Sequence, residues 1–287
     1  MTAEREKGIR GETMKLNFAI TNPERVVFPK EAITKMDVIR YYLSVADKML
    51  PFLKSRPLSV VRCHDGIQGS CFFRKHPETD EHVEAFSHRG ERWFYLKNAS
   101  QLAYQAQMGT VEIHTWNAKV KKFHSPDRMV FDLDPDGELP LSRLREGVSA
   151  LKDLLTKIGL VCFLKTSGGK GYHVVVPFSK CKSAERFYTF SKEVAQTAAG
   201  MNGGLFTVNS RKAERKGKIF LDYMRNQTGA TCVAPYSLRA RDGAPISMPI
   251  AWEDLHRISP NAVTLFNYEE YLSDAWGDFF SVKQELR

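Results

Sequence analysis

The sequence has no apolar run near the roughly 18 residues that a membrane-spanning helix needs. Nor does it have a long basic amphipathic stretch of the kind that lies on a bilayer surface. Its start, MTAEREKGIRGETMK, is charged and lacks an apolar h-region, so it does not read as a secretory signal. Cysteine is scarce and scattered. Cys63, Cys71, Cys162, Cys181 and Cys232 are odd in number and form no CxxC, which leads us to expect reduced thiols in an intracellular compartment. Cys63, His64, Cys71 and His76 lie close together, but their spacing matches no common zinc site. Internal repeats and low-complexity linkers are missing as well.

What is present is an ordinary globular composition. The 287 residues are 43% apolar and 26% charged, enough to bury a sizeable core as one large domain or two small ones. A net charge of +9 points to a polyanionic partner, nucleic acid or anionic lipid, without choosing between them. Residues 1–15 read as a polar tail with freedom to move.

Thr34 followed by Asp37 has the form of a helix start, and Val38, Tyr42, Val45, Ala46 and Met49 then share one helical face. Pro51 and Pro57 are expected to close that segment. LSVVRC (58–63) and CFFRKH (71–76) read as two strands joined across the turn DGIQGS. From residue 129 strands and helices alternate more clearly. MVFDL (129–133) is a strand ending at the turn signal PDG, and Leu141, Leu144, Val148, Leu151, Leu155 and Ile158 recur at helical spacing. VCFLKT (161–166) and YHVVVP (172–177) flank SGGKG, Ser183 is placed to cap a helix carrying Phe187, Phe190, Val194 and Ala198, and KIFLDY (218–223) is a further strand. The expected class is mixed α/β, with carboxylates at strand ends and a glycine-rich loop between strands.

The chemistry starts at FDLDPD. Asp132 and Asp134 are two apart on a strand and so point to one face, where two carboxylates repel unless a cation sits between them. A solvated turn beginning at Pro135 and Gly137 explains an isolated DxD equally well. Asp222, inside IFLDY, changes the balance because a carboxylate on a half-buried strand needs a partner. Three such aspartates could hold two metal ions about 4 Å apart, or Asp222 could simply pair with Arg225. Spacing alone does not choose.

SGGKG (167–171) allows backbone N–H groups to approach an anion, with Lys170 adding charge and Ser167 a hydroxyl. It is not a Walker A loop, because the GxxxxGK[ST] spacing is absent, and a plain hairpin turn would use the same residues. His173 follows on the next strand, where a structural role is the common one. EIHTW (112–116) sets Glu112, His114 and Trp116 on one strand face. RKAERKGK (211–218) reads as a solvated basic loop with Arg215 just before the Asp222 strand. In YSLRARDG (236–243), Arg239 and Arg241 would alternate across a short strand, so only one would face a given site. Arginine's planar fork suits triphosphate oxygens.

Taken together, these segments resemble the polymerase domain of the prokaryotic non-homologous end-joining system, the DNA ligase D polymerase type, within the archaeo-eukaryotic primase superfamily. The landmarks run in family order from about residue 16: TNPERVVFP, ITKMDVIRYY, RPLSVVRC, CFFRKH, VEIHTW, FDLDP, SGGKGYHVVVP, FLDYMRN and APYSLRAR, ending in PIAWEDL. Each is weak alone, and the ordered set is specific.

The resemblance implies a primase-like catalytic core with mixed β-sheets around a cleft and helices outside. It also implies one catalytic domain over residues 16–287, with DNA-end contacts from its N-terminal part and the catalytic motifs within 111–250. Asp132, Asp134 and Asp222 would be the catalytic metal ligands, holding two manganese (or magnesium) ions. His114, Ser167, Lys170, His173, Arg215 and Arg239 would bind the nucleotide. Asn22, Arg25 and Lys35 would take a downstream 5′-phosphate, with Arg25 standing where the family usually has lysine. Phe72 and Phe73 would pack on template DNA, although strand alternation predicts one of them in the core and one exposed. The implied reaction is addition of nucleotides, ribonucleotides preferred, to a primer 3′-hydroxyl at gaps and break ends. Implied partners are gapped or broken DNA, nucleoside triphosphates, a DNA ligase and Ku, in a cytoplasmic, nucleoid-associated setting. The starting Met1 and the polar tail favour a standalone protein. The rival readings are a primase that starts chains without a primer and a non-catalytic DNA-end bridging module. The bridging module would have no use for three aspartates.

Overall fold

The computed structural model describes residues 16–79 and 81–286. The tail expected at 1–15 lies outside them.

Two sheets organise the chain. Strands are numbered here along the sequence as β1 (Leu58–Cys63), β2 (Cys71–Arg74), β3 (Thr110–Trp116), β4 (Arg128–Pro135), β5 (Phe163–Thr166), β6 (Tyr172–Pro177), β7 (Phe206–Thr207), β8 (Ile219–Asp222), β9 (Thr231–Val233) and β10 (Pro249–Ile250). The first sheet has four strands in the order β9-β3-β1-β2, all antiparallel. The second has six in the order β7-β8-β4-β6-β5-β10 and is mixed, because β7 pairs parallel to β8 while the other neighbours are antiparallel. The expected α/β class with mixed sheets and flanking helices is what the chain forms.

Helices α1 (Lys35–Ser44), α2 (Ala46–Leu53) and α3 (Ala99–Gln107) pack beside the four-stranded sheet, and α4 (Leu141–Lys157) and α5 (Ala184–Met201) cover the six-stranded one. Helix α1 starts where the sequence says it should. Thr34 accepts from the Asp37 backbone N–H, and the Asp37 carboxylate accepts from the Thr34 N–H. Such a reciprocal cap contributes on the order of 1 kcal/mol. Ser183 caps α5 with a single bond, its hydroxyl accepting from the Arg186 N–H. Pro51 does not end its segment. The helix runs through it to Leu53, interrupted instead at Val45. At the other end of α4, Ile158 is the C-cap and stays 47% exposed, outside the apolar face assigned to it.

The core is continuous beneath both sheets. Strand β6 is buried along its whole length, and β4 is buried except at its acidic end, which explains their runs of Val, Phe and Leu. Strand β2 is different. It is the edge of its sheet, and Phe72 and Phe73 are both exposed, at 36% and 63%. Alternation sends them to opposite faces as expected, but no layer covers either face there, so neither becomes core.

Cys63 and Cys71 face each other across β1 and β2 with Cα atoms 4.4 Å apart and are joined by a disulfide. The expectation of free thiols throughout is corrected at this pair, while Cys162, Cys181 and Cys232 are free and buried. Among the described residues no group of His, Cys, Asp and Glu is arranged to hold a zinc ion, and no helix is long and apolar enough to cross a membrane.

Candidate active site

The register of the six-stranded sheet builds a row of ionisable groups. Asp132 on the central strand β4 is paired with Asp222 on β8 to one side and with His173 on β6 to the other. His173 is in turn opposite Lys165 on β5. Two residues on from Asp132, Asp134 points to the same face and is half in solvent, with its side chain 52% exposed. The spacing argument for one carboxylate-bearing face therefore holds, and the sheet adds the third aspartate as a lateral neighbour.

Each carboxylate already meets a cation. Arg225 Nε lies 3.1 Å from Asp222 Oδ2 and 3.6 Å from Asp132 Oδ2, so the Asp222–Arg225 pair expected as a competitor to metal binding does form. His173 Nε2 is 3.4 Å from Asp132 Oδ1, and its Nδ1 is 3.2 Å from the Cys232 thiol. Arg215 Nη1 is 3.3 Å from Asp134 Oδ2, and its guanidinium lies 3.7 Å from the centre of the Phe220 ring. Burial alone would raise Asp132, but His173 and Arg225 together hold its carboxyl well below the usual range. Burial and the neighbouring Asp132 charge raise both Asp134 and Asp222, despite the arginines beside them. Negative charge is thus crowded here and only partly neutralised. Hard oxygen donors in surplus suit a divalent cation of the magnesium or manganese type. With Arg225 and Arg215 inserted, no three His, Cys, Asp or Glu groups among the described residues converge on one point. Asp132, Asp134 and Asp222 are the groups that would hold such a cation.

These residues open onto a cavity of about 590 Å³, lined by Asp132, Asp134, Ser167, Lys170, His173 and Arg239 among others. That is large enough for a nucleotide. The glycine-rich loop closes one side. Ser167 Oγ accepts from the backbone N–H groups of Gly169 and Gly171, and Gly168 adopts φ +64°. Gly171 lies so close to β4 that a Cβ would sit 2.0 Å from the Leu133 carbonyl oxygen. The absence of a side chain at 171 brings loop and carboxylate strand together.

The arginines depart from expectation. Residues 236–243 are not a regular strand. Tyr236 has φ +66°, and only Leu238 forms an isolated bridge, to Ile246. Strict alternation is lost, and Arg239 and Arg241 both reach the cavity wall. Nor is RKAERKGK simply a solvated loop, because a 3₁₀ turn over Lys212–Arg215 brings Lys212 and Arg215 to the same cavity.

His114 is not on the cavity wall. Its Nε2 is 2.8 Å from Glu112 Oε2, and its ring meets the edge of Phe73 at 5.5 Å. It connects to the pocket through Glu112, which also contacts Arg239. Asp222 likewise sits behind the wall, reached through Arg225.

Several groups escaped the sequence reading. Lys165 is 2% exposed, donates to Ser247 Oγ, and is pushed by burial down to about 7. Its position two residues before Ser167 on the same strand face was the available signal. Lys212 and Cys232 had none, since each depends on a turn or a strand pairing that spacing does not reveal, whereas Arg241 was weighed against Arg239 and set aside on an alternation that the chain does not keep.

Away from the cavity, Asn22, Arg25 and Lys35 come together at the start of α1. The Arg25 backbone N–H donates to Asn22 O, and the Lys35 N–H donates to Arg25 O. Lys35 is 2% exposed, and burial, with Arg25 nearby, lowers its pKa. Arg25 keeps buried Nε and Nη2 groups without partners. Neither side chain has a carboxylate partner among the described residues.

Comparison with known proteins follows this geometry. The family model "LigD, primase-polymerase domain" matches residues 34–280. The chain is 36% identical over 279 residues to the multifunctional non-homologous end joining protein LigD of Pseudomonas aeruginosa, covering 93% of this chain and 33% of that protein. It is 29% identical over 244 residues to the bifunctional LigD of Bacillus subtilis, covering 84% of this chain and 39% of that protein. It therefore spans little more than a third of the length of these relatives. The polymerase domain of Mycobacterium tuberculosis ligase D, solved in complex with DNA, superposes with a TM-score of 0.80 at 29% identity, covering 89% of this chain and 96% of that one.

Proposed function

The chain belongs to the LigD primase-polymerase domain family, whose members are nucleotidyltransferases, and on that premise we propose that it adds nucleotides to a primer 3′-hydroxyl at DNA gaps and break ends. The observation that carries the reading is the cross-sheet row of Asp222, Asp132 and His173, with Asp132 and His173 on the wall of a nucleotide-sized cavity and Asp222 directly behind it. In the reaction the 3′-oxygen attacks the α-phosphate of a nucleoside triphosphate, the bond to the β-phosphate breaks, and pyrophosphate leaves. Asp132, Asp134 and Asp222 would hold two manganese (or magnesium) ions, which would activate the 3′-hydroxyl and neutralise the triphosphate.

The chain's own groups bind and orient. Lys170, Arg215 and Arg239 supply charge to the triphosphate, and the self-bonded Ser167 loop holds Lys170 on the cavity wall. His173 holds the Asp132 carboxylate from the side opposite Asp222. Phe72 and Phe73, exposed on opposite faces of the edge strand, each offer a ring on which any template base could stack. The unit proposed to fold and act together is 16–287. Ribonucleotide preference, a partner ligase and Ku, and action in the cytoplasm on nucleoid DNA belong to the same proposal.

Incorporation of labelled ribo- and deoxynucleotides into a 5′-phosphorylated gapped duplex with manganese tests it. Addition that favours ribonucleotides is expected. Gap binding with no addition would favour the bridging module.

Arg25 and Lys35, two neighbouring cations with no carboxylate partner among the described residues, support recognition of a downstream 5′-phosphate. A primase that starts chains without a primer would not need that pocket. Lys35→Ala is expected to weaken binding to a 5′-phosphorylated gap about tenfold, the scale of one charged hydrogen bond. Its affinity for the unphosphorylated gap should be unchanged. Equal loss on both gaps would place the phosphate elsewhere.

A further inference from the structure

Three groups converge on the Glu112 carboxylate, two as hydrogen-bond donors and one, Arg239, as an ion-pair partner. His114 Nε2 lies 2.8 Å and Arg239 Nε 3.1 Å from Oε2, and the Ala240 N–H donates to Oε1 at 2.9 Å. The residue is 7% exposed. Its partners lie on different segments. His114 is on β3, with its ring against exposed Phe73, whereas Arg239 lies on the wall of the cavity and donates to the Ser167 carbonyl of the glycine-rich loop.

We propose that Glu112 is a positioning residue that holds His114 and Arg239 in one arrangement, joining the aromatic edge at Phe73 to the triphosphate side of the pocket. This rests on the reading of Arg239 and His114 as nucleotide-binding residues. An ionised carboxylate only accepts, so the His114 Nε2 that faces it carries the hydrogen, and Nδ1 is left with a free lone pair. Glu112 thereby sets the tautomer of His114 as well as its place. Its charge is retained, since the hydrogen bond from His114 and the Arg239 charge overcome burial and bring its carboxyl down to about 2. His114 moves the other way. Burial, with Arg239 and Arg225 nearby, lowers its pKa despite Glu112, which keeps the ring neutral near pH 7.

Glutamine cannot replace this group. It carries no charge to hold Arg239, and once its oxygen accepts from the Ala240 N–H its NH₂ can only donate to His114, which keeps the contact only by moving its hydrogen to Nδ1. The groups that lose their place are His114 and Arg239, neither of which is among the carboxylates of the reacting centre. The expected consequence is weaker nucleotide binding rather than slower chemistry.

The test compares wild type with Glu112→Gln and Glu112→Asp. It measures ATP binding with manganese by calorimetry, gapped-DNA affinity without nucleotide, and single-nucleotide incorporation over a range of ATP concentrations. Glu112→Gln is expected to bind ATP about tenfold more weakly and to raise KM by the same factor, with kcat within about threefold and DNA affinity unchanged. Glu112→Asp keeps the charge but draws it back, and should fall between the two. It decides the question if the glutamine variant fails to fold. Placed in an Arg239→Ala background, Glu112→Gln should add less than about twofold, because its main target is already gone. Wild-type ATP affinity in the variants, or a full additional tenfold in the Arg239→Ala background, would overturn the proposal. Wild-type protein that binds ATP but incorporates nothing would refute the polymerase reading while leaving the Glu112 comparison intact.

Discussion

Asp132→Ala is expected to lower nucleotide incorporation by about a thousandfold or more, on the order of 4 kcal/mol of transition-state stabilisation, while leaving affinity for gapped DNA within a few-fold. Asp132 is the one carboxylate flanked in register on both sides, by Asp222 and by His173. Its removal takes a shared oxygen donor out of the proposed metal site and leaves Arg225 with Asp222 alone. The cations that would meet DNA are untouched, and the loss of a negative charge from the cleft does not oppose a polyanion. Primer extension and equilibrium DNA binding, measured on one preparation, check both halves. Incorporation within tenfold of wild type would contradict the assignment of the metal site to this face.

Gly171→Ala is expected to be almost as damaging, although it deletes no functional atom. A Cβ at 171 would lie 2.0 Å from the Leu133 carbonyl oxygen and 3.0 Å from its carbon, both backbone atoms of the strand between Asp132 and Asp134. Neither rotamer change nor side-chain movement relieves such a clash, so β4 and the glycine-rich loop must separate. Overpacking of this kind costs about 1–3 kcal/mol or more of stability. A displacement near 1 Å at the reacting groups costs on the order of a hundredfold in rate. Gly200 in α5 is the control, because a Cβ there meets nothing within 4 Å. Gly200→Ala should raise stability by about 0.5–1 kcal/mol. Thermal melts and single-turnover extension of both variants check the contrast. Wild-type activity in Gly171→Ala would mean that the loop does not need its close approach.

Much of the fold was legible because its signals are local. The capping box at Thr34 and Asp37, the Ser183 cap and the apolar period of α4 each depend on neighbours within a turn or two, and each appears where it was read. The carboxylate face was legible too, since period-two alternation on β4 needs no knowledge of the rest of the sheet. What could not be read depends on long-range placement. The exposure of both Phe72 and Phe73 follows from β2 being an edge strand, which alternation does not reveal. Arg239 and Arg241 reach one cavity because the backbone turns at Tyr236 and again before Ala244, both with positive φ, and breaks the alternation. Lys165 looks like an ordinary strand lysine until the sheet sets it opposite His173. The disulfide needed the hairpin register that brings Cys63 opposite Cys71. Pro51 was read as a stop, yet the helix runs two residues past it to Leu53.

The geometry leaves a definite picture of the cleft before metal and substrate arrive. Arg225 and Arg215 hold the acidic face together, and His173, backed by Cys232, braces Asp132 from the far side. The arginines partly neutralise the buried row of carboxylates, and in the proposed reaction a triphosphate would offer those same arginines a second anion.

Equilibrium dialysis of manganese against the protein with a non-hydrolysable ribonucleoside triphosphate, with triphosphate-only and Asp132→Ala controls, tests this account most directly. The account predicts two protein-dependent ions per chain in the wild type and loss of this binding in Asp132→Ala. Manganese retention by the variant equal to wild type, or none by the wild type beyond what the triphosphate carries alone, would contradict it.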